Sequence, residues 1–176
     1  MEIITERLRL EEVTPDLARL LITDRLDRVE ELIGAPLPAD FPTPEERVGH
    51  YTRHLQLMQA HPERKGWFTK LAFTKEPRRL IGHVGYHGPP EVIGRAEIGY
   101  TIFAADRGRG FAKEAARGLV QWALENGVGE VYASVRPDNA PSLAVIRALG
   151  FEQVGEQIDE VDGLELVFAV KAAPPS

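Results

Sequence analysis

Phosphate chemistry is the first possibility this chain offers, in the run Arg107-Gly108-Arg109-Gly110. Two glycines let an anion approach the backbone closely, and the two arginines reinforce a positive field. The run lacks GxxxxGK[ST], because Gly108 is not followed five residues on by Gly-Lys-Ser/Thr, so a nucleotide-hydrolysing P-loop is excluded. It also lacks GxGxxG with an acidic residue closing the next strand, which removes the dinucleotide fold. His50 and His54 stand four apart, as two zinc ligands would on a helix. No HExxH surrounds them and no third ligand is evident, so the expectation is a surface pair and no metal. His83 and His87 fall on or just past a strand and are further titratable candidates, with packed or solvent-facing imidazoles as the plainer reading.

The elements around the glycines explain why they matter. Ile98, Tyr100 and Ile102 alternate with Glu97, Gly99 and Thr101, the period of a strand running from Glu97 to Phe103. Beyond the glycines, Ala112, Ala115, Ala116, Leu119, Val120 and Ala123 recur at helical spacing up to the Gly127 cap. The loop Arg107 to Lys113 thus sits where a strand becomes a helix, and a helix start leaves its first amides unpaired with a partial positive charge.

The rest of the chain reads in order. A strand is predicted from Thr5 to Glu11, a short helix from Pro15 to Leu21 continuing over Asp24 to Ile33, and a proline-rich loop from Gly34 to Pro42 that shapes a pocket. A long helix over Pro44 to Ala60 is capped by Thr43. Strands over Trp67 to Phe73 and Leu80 to Tyr86 form a hairpin and lead into the Glu97 strand as a meander. Val131 to Val135 is reached through a helix and should run parallel to the Glu97 strand. A helix over Asn139 to Leu149 and a hairpin of Phe151 to Ile158 with Leu164 to Val170, turning at Asp162-Gly163, close the fold. The reading is a single α+β domain over residues 1–171 with a mixed, mostly antiparallel sheet, followed by a disordered tail over 172–176.

Composition sets outer bounds. The chain has 176 residues, 43% hydrophobic and 27% charged, enough for one self-sufficient core. It has no cysteine, which excludes disulfides, thiolate metal sites and a cysteine nucleophile. A net charge of -6 argues against non-specific nucleic-acid binding and mildly favours an amine-bearing partner. The N-terminus has no apolar signal core and no run approaches a membrane span, so a cytoplasmic protein without membrane association is expected. A homodimer stays open.

Arg107-Gly-Arg-Gly-Phe-Ala112 matches the Arg/Gln-x-x-Gly-x-Gly/Ala pattern of the GNAT superfamily of N-acetyltransferases. Asn139-Ala-Pro-Ser142 leading to Leu149-Gly150-Phe151 matches its downstream segment. The longer run GYTIFAADRGRGFAKEA and the opening TERLRL resemble the branch that contains the ribosomal-protein alanine acetyltransferases. The resemblance covers nearly the whole chain, most specifically Glu97 to Phe151. It implies the GNAT fold, with helices on both faces and a central splay between two parallel strands, and acetyl-CoA as cosubstrate. In that frame the amides of Arg107, Gly108, Arg109, Gly110, Phe111, Ala112 and Lys113 hold the pyrophosphate, and backbone groups near Ile102 and Phe103 hold the pantetheine arm. An amide near Ile102 polarises the thioester carbonyl.

Glu97 then borders the splay and is either the base that takes the ammonium proton or a carboxylate in an ordinary salt bridge, with His83 or His87 as its replacement. Many of these enzymes carry a Tyr seven residues past the Asn. Here that position is Ile146, so Ser142 is the implied group near the thiol, as a proton relay or as a first-turn serine. Asn139 bonds the cofactor arm, caps the helix, or both. The implied reaction is acetyl transfer to a protein N-terminal amine. A small amine (aminoglycoside, polyamine or amino acid) or a non-catalytic acyl-CoA-binding module is the alternative. The acceptor pocket would come from the N-terminal helices, the Gly34 to Pro42 loop and the final hairpin.

Overall fold

The computed structural model describes residues 1–90 and 94–172, so all but the first residue of the expected disordered tail lies outside the described residues. In chain order the elements are β1 (Glu2–Ile4), β2 (Leu8–Glu12), α1 (Pro15–Ile22), α2 (Leu26–Ile33), α3 (Pro44–Ala60), β3 (Lys70–Thr74), β4 (Arg79–Tyr86) and β5 (Arg95–Ile102). A 3₁₀ turn (Ala104–Asp106) leads to α4 (Phe111–Glu125), β6 (Glu130–Val135), α5 (Ala140–Ala148), β7 (Glu152–Asp159) and β8 (Gly163–Lys171). The eight strands form one sheet in the order β1-β2-β3-β4-β5-β6-β8-β7.

Local chemistry accounts for most of these boundaries. Thr43 and Glu46 form a reciprocal capping box, and Pro44 occupies the first helical position of α3, where a missing N–H costs nothing. Thr14 caps α1 in the same way, accepting from the Leu17 amide. The strand expected from Thr5 is β2 and begins at Leu8, because Thr5 turns the chain: its amide bonds the Leu8 carbonyl and its hydroxyl receives the Leu8 amide. A three-residue β1 precedes that turn, too short for any period to reveal. The helical stretch after Pro15 is broken in two at Asp24, which adopts a φ of 56°.

Every neighbouring pair is antiparallel except β5 and β6, which run parallel. Their ladder has three rungs, Arg95 with Glu130, Ala96 with Val131 and Glu97 with Tyr132, and then stops. Past Glu97, β5 stays with β4 as far as Ile102, while β6 follows β8 out to Val135. The sheet therefore splays beyond Glu97. One face of it buries Ile98, Ile102, Val131 and Phe168 against Ala115, Ala116, Leu119 and Ala123 of α4. The small side chains of α4 let the helix lie close to the sheet and bring its first turn beside the end of β5. The opposite face buries Leu71, Phe73, Leu80 and Phe103 against Leu17, Leu21, Val29 and Tyr51 of α1, α2 and α3.

Candidate active site

The loop before α4 is held by a buried carboxylate. Asp106 is only 4% exposed and receives Arg79 of β4 through both its oxygens, at 3.2 and 2.8 Å, and Arg109 at 3.0 Å. The Arg107 guanidinium folds back to donate to the Ile102 carbonyl at 2.9 Å. Gly108 and Gly110 lie in the left-handed region, at φ of 72° and 81°, which turns the intervening amides toward one side. The first intrahelical bond runs from the Glu114 amide to the Gly110 carbonyl. The amides of residues 108–113 consequently have no acceptor among the described residues, a row of donors at the positive end of a 15-residue helix. The opening TERLRL serves this same place. Arg7 pairs with Glu114 at 2.6 Å, stacks on the Phe111 ring at 4.6 Å and donates to the Arg109 carbonyl, while Thr5 donates to Glu114.

Next to that row lies a groove of about 370 Å³ lined by Tyr100, Ile102, Arg107, Ala112, Asn139 and Ser142. It is the gap left where β5 and β6 part. In an antiparallel ladder alternate residues bond the neighbour, and here the Phe103 amide donates to Ile81 while His87 donates to Glu97. Residues 97, 99, 101 and 103 therefore bond β4, and the backbone of Tyr100 and Ile102 faces the gap. Phe103 is corrected on this point: its amide is taken by Ile81 and its ring is buried edge-on against Phe41, so it offers the groove no free donor. Asn139 caps α5, its side chain accepting the Ser142 amide at 3.2 Å. Ile146 is fully buried in the core, while the phenol of Tyr100 reaches the groove and donates to the Ser142 carbonyl at 3.3 Å. Burial pushes that phenol's pKa up to about 12.

Glu97 lies on the opposite face of the sheet from Ser142, in a cleft of about 460 Å³ between α3 and the β7–β8 hairpin. Ser134 donates to its Oε1 at 2.7 Å and in turn receives Gln157 at 3.0 Å. His87 Nδ1 lies 3.3 Å from Oε2. Burial alone would raise the carboxyl's pKa, but hydrogen bonding and charge from His87, with further bonds from Ser134 and Tyr132, outweigh it and hold Glu97 below its usual value. The expected surface pair is corrected at one member only: His50 is exposed, whereas His54 is buried. His54 is 4% exposed, with Nε2 3.0 Å from the Val13 carbonyl and Nδ1 accepting the Thr69 amide, so the neutral Nε2–H tautomer is fixed. The exposed His50 bonds Thr69 Oγ1 through its ring, and partial desolvation of that ring, then repulsion from His83, His54, His87 and Arg53, pushes its pKa down to about 4. The His54 ring turns inward because its stripe of α3 packs against the sheet, while His50 stays at the surface beside it. His83 stacks at a tilt on His50, with a ring distance of 5.3 Å, and burial lowers its pKa. Among the described residues there is no group of three or more His, Cys, Asp or Glu disposed to hold a metal ion.

The acetyltransferase (GNAT) domain model matches residues 7–152 of this chain. The chain belongs to the GNAT family of acetyltransferases. The N-acetyltransferase YjdG of Bacillus subtilis is 28% identical over 152 residues, covering 84% of this chain and 87% of that one. The match to the N-acetyltransferase p20 of Bacillus licheniformis, at 34% identity, spans 46% of each chain. Among solved structures, the complex of RimL, a ribosomal α-N-protein acetyltransferase, with coenzyme A superposes with a TM-score of 0.69 at 19% identity over 97% of this chain and 98% of that one. A ribosomal-protein-S5-alanine acetyltransferase from Vibrio fischeri gives 0.68 at 20% identity, over 97% and 96%.

In this GNAT acetyltransferase the donor row and the groove suit a CoA-type ligand: open amides for a pyrophosphate, then exposed strand backbone for an amide-bearing arm. Sequence reasoning missed Asp106, Tyr100 and the Ser134–Gln157 brace. An acid between two arginine-containing segments, at 106 beside 107 and 109, was the one available signal for the first of these.

Proposed function

We propose that this chain transfers the acetyl group of acetyl-CoA to a primary amine, and that the amine is a protein N-terminus. The observation that carries the cofactor half is the run of six unpartnered amides at 108–113 opening onto the splay groove. In this reading those amides bind the pyrophosphate, the Tyr100 and Ile102 backbone binds the arm, and the Ile102 amide polarises the thioester carbonyl. Ser142 and Tyr100 stand beside the leaving sulfur, and the Glu97 cleft on the far side of the sheet admits the amine.

The acceptor half is supported by the extent of that far side. The Glu97 cleft adjoins a second one of about 450 Å³ lined by Asp40, Arg47, Tyr51, His83 and Thr101, and His50 lines both. Each alone could take a drug-sized ligand, so together they exceed what a small amine needs. The Tyr51 hydroxyl is buried in the wall of this second cleft without a partner among the described residues. Asp159, Asp162 and Glu165 on the closing hairpin give the first cleft an acidic rim suited to an ammonium. Similarity to enzymes named for ribosomal-protein acetylation favours the same acceptor. The test is release of free CoA over a panel of N-terminal hexapeptides and small amines. Peptides should be consumed with the higher kcat/KM, whereas turnover confined to small amines would refute the acceptor assignment. Cofactor binding without any turnover would leave an acyl-CoA-binding module instead.

A further inference from the structure

The Glu97 cleft holds two groups able to take a proton, and their arrangement distinguishes their roles. His87 follows the last residue of β4, and its amide bonds the Glu97 carbonyl, which fixes the two residues opposite one another. Its ring then leans along β5. Nδ1 meets the Glu97 carboxylate at 3.3 Å, and the Nε2 edge lies over Gly99, so closely that a Cβ there would stand 2.5 Å from Nε2. Gly99 is two residues past the last β5–β6 rung, at the mouth of the splay. Glu97 itself is turned away from that mouth, braced by Ser134 and Gln157, and its side chain is 19% exposed against 56% for His87.

We infer that His87, through Nε2, is the base that takes the acceptor's proton, and that Glu97 is its positioning residue. An ionised carboxylate facing Nδ1 selects the Nδ1–H tautomer, which leaves the lone pair on Nε2. No described residue partners that nitrogen. The other imidazoles on this face are engaged: His54 between Val13 and Thr69, His50 on Thr69, and His83 against the His50 ring. The inference rests on the acetyltransferase reading given above. In the step, the acceptor ammonium gives one proton to Nε2 and becomes a neutral amine. Its nitrogen attacks the thioester carbon, the C–N bond forms and the C–S bond breaks. The second proton lost from nitrogen matches the one gained by the departing thiolate, and His87 returns its proton to solvent. Net, one ammonium and acetyl-CoA give one amide, CoA and a proton.

The titratable and charged groups that share the cleft with His87 are Glu97 and Arg95 on β5, His50, Arg53 and His54 on α3, Tyr86 on β4, Tyr132 on β6, and Asp159 and Glu165 on the hairpin, with Asp162 at its turn. The test compares wild type, H87A, E97Q and G99A for CoA release with a peptide acceptor across pH 5.5 to 9, and for CoA affinity. H87A should lose about 10²-fold or more in kcat, the contribution of a positioned base, with CoA affinity within twofold of wild type. Its acidic limb in the pH–rate profile should vanish, and added imidazole should restore part of the rate. E97Q should lose less and shift that limb rather than abolish it, a change that a merely structural carboxylate would not produce. G99A removes no titratable group, yet its methyl collides with Nε2 and should reproduce most of the H87A loss. In the H87A background the same change should cost nothing further. Wild-type kcat and an unchanged pH profile in H87A would overturn the inference while leaving the acetyltransferase reading intact. Absence of turnover by wild type with every amine would overturn both.

Discussion

Gly110 holds a φ of 81° at the mouth of α4, and replacing it by valine places a β-branched side chain in the left-handed region. Space is not the difficulty. A Cβ there would meet only the Arg7 Nη2 at 3.5 Å, an ordinary contact, so the penalty is one of backbone conformation. An L-residue in this region costs about 1–2 kcal/mol, and a β-branched one more. The chain relieves that cost by moving φ negative, which swings the neighbouring amides of Phe111 and Ala112 out of the donor row. A hydrogen bond to a charged group is worth about 1.5–3 kcal/mol, so losing two weakens CoA by about 3–6 kcal/mol, on the order of 10²- to 10⁴-fold in Kd. Calorimetric titration with CoA measures the loss. Turnover with S-acetylpantetheine, which has no pyrophosphate, should change little beside it. Melting should fall by only a few degrees. A G110V protein that binds CoA within threefold of wild type, or that loses CoA and S-acetylpantetheine equally, would refute the phosphate-cradle argument.

Asp106→Asn removes a buried charge from two arginines that are themselves part exposed, so its cost should lie below the fully buried range, at about 2 kcal/mol in urea unfolding, with weaker CoA binding besides. Unchanged stability would show that the loop does not depend on this anchor. Ser142→Ala should lower kcat about 10-fold at saturating acetyl-CoA, less than a full proton donor would because a hydroxyl can only relay, and equal kcat would remove Ser142 from the chemistry. Lys70 is fully buried, donates to the Gly66 and Phe68 carbonyls, and is pushed down to about 8 by burial. Between pH 8 and the ordinary lysine value of 10.5 the unfolded chain keeps a proton that the folded chain has lost, so stability should rise with pH across that window, by up to about 3 kcal/mol. The stability difference between wild type and K70M should therefore change across it, and a difference flat with pH would contradict the assignment.

Much of the fold was legible because its signals are local. Period two in residues 97–103, period 3.6 after Gly110 and the Thr43 cap depend only on neighbours in sequence, and so does the handed crossover that makes β6 parallel to β5. β1 escaped because three residues carry no period, and the break at Asp24 because a single left-handed residue leaves the flanking helical pattern intact. His54 is buried although its spacing with the exposed His50 predicts a surface pair, because spacing shows that two side chains share a helix face but not what that face packs against. Phe103 reads from sequence as part of the arm-binding backbone, and its amide is instead paired with Ile81, because alternation along a strand does not say which edge its neighbour occupies.

The glycine-rich junction between β5 and α4 was determined by sequence alone, since a helix start with flanking glycines exposes amides wherever it occurs. Only the tertiary structure decided how the chemistry is divided around it. Strand register sets His87 beside Glu97 and over Gly99, and β5 turns Glu97 to the α3 face while Tyr100 and Ile102 face the groove that holds Ser142. Register and facing come from long-range pairing and packing, which is why Glu97, Ile102 and Ser142 could be named as candidates but not assigned to opposite sides of one sheet.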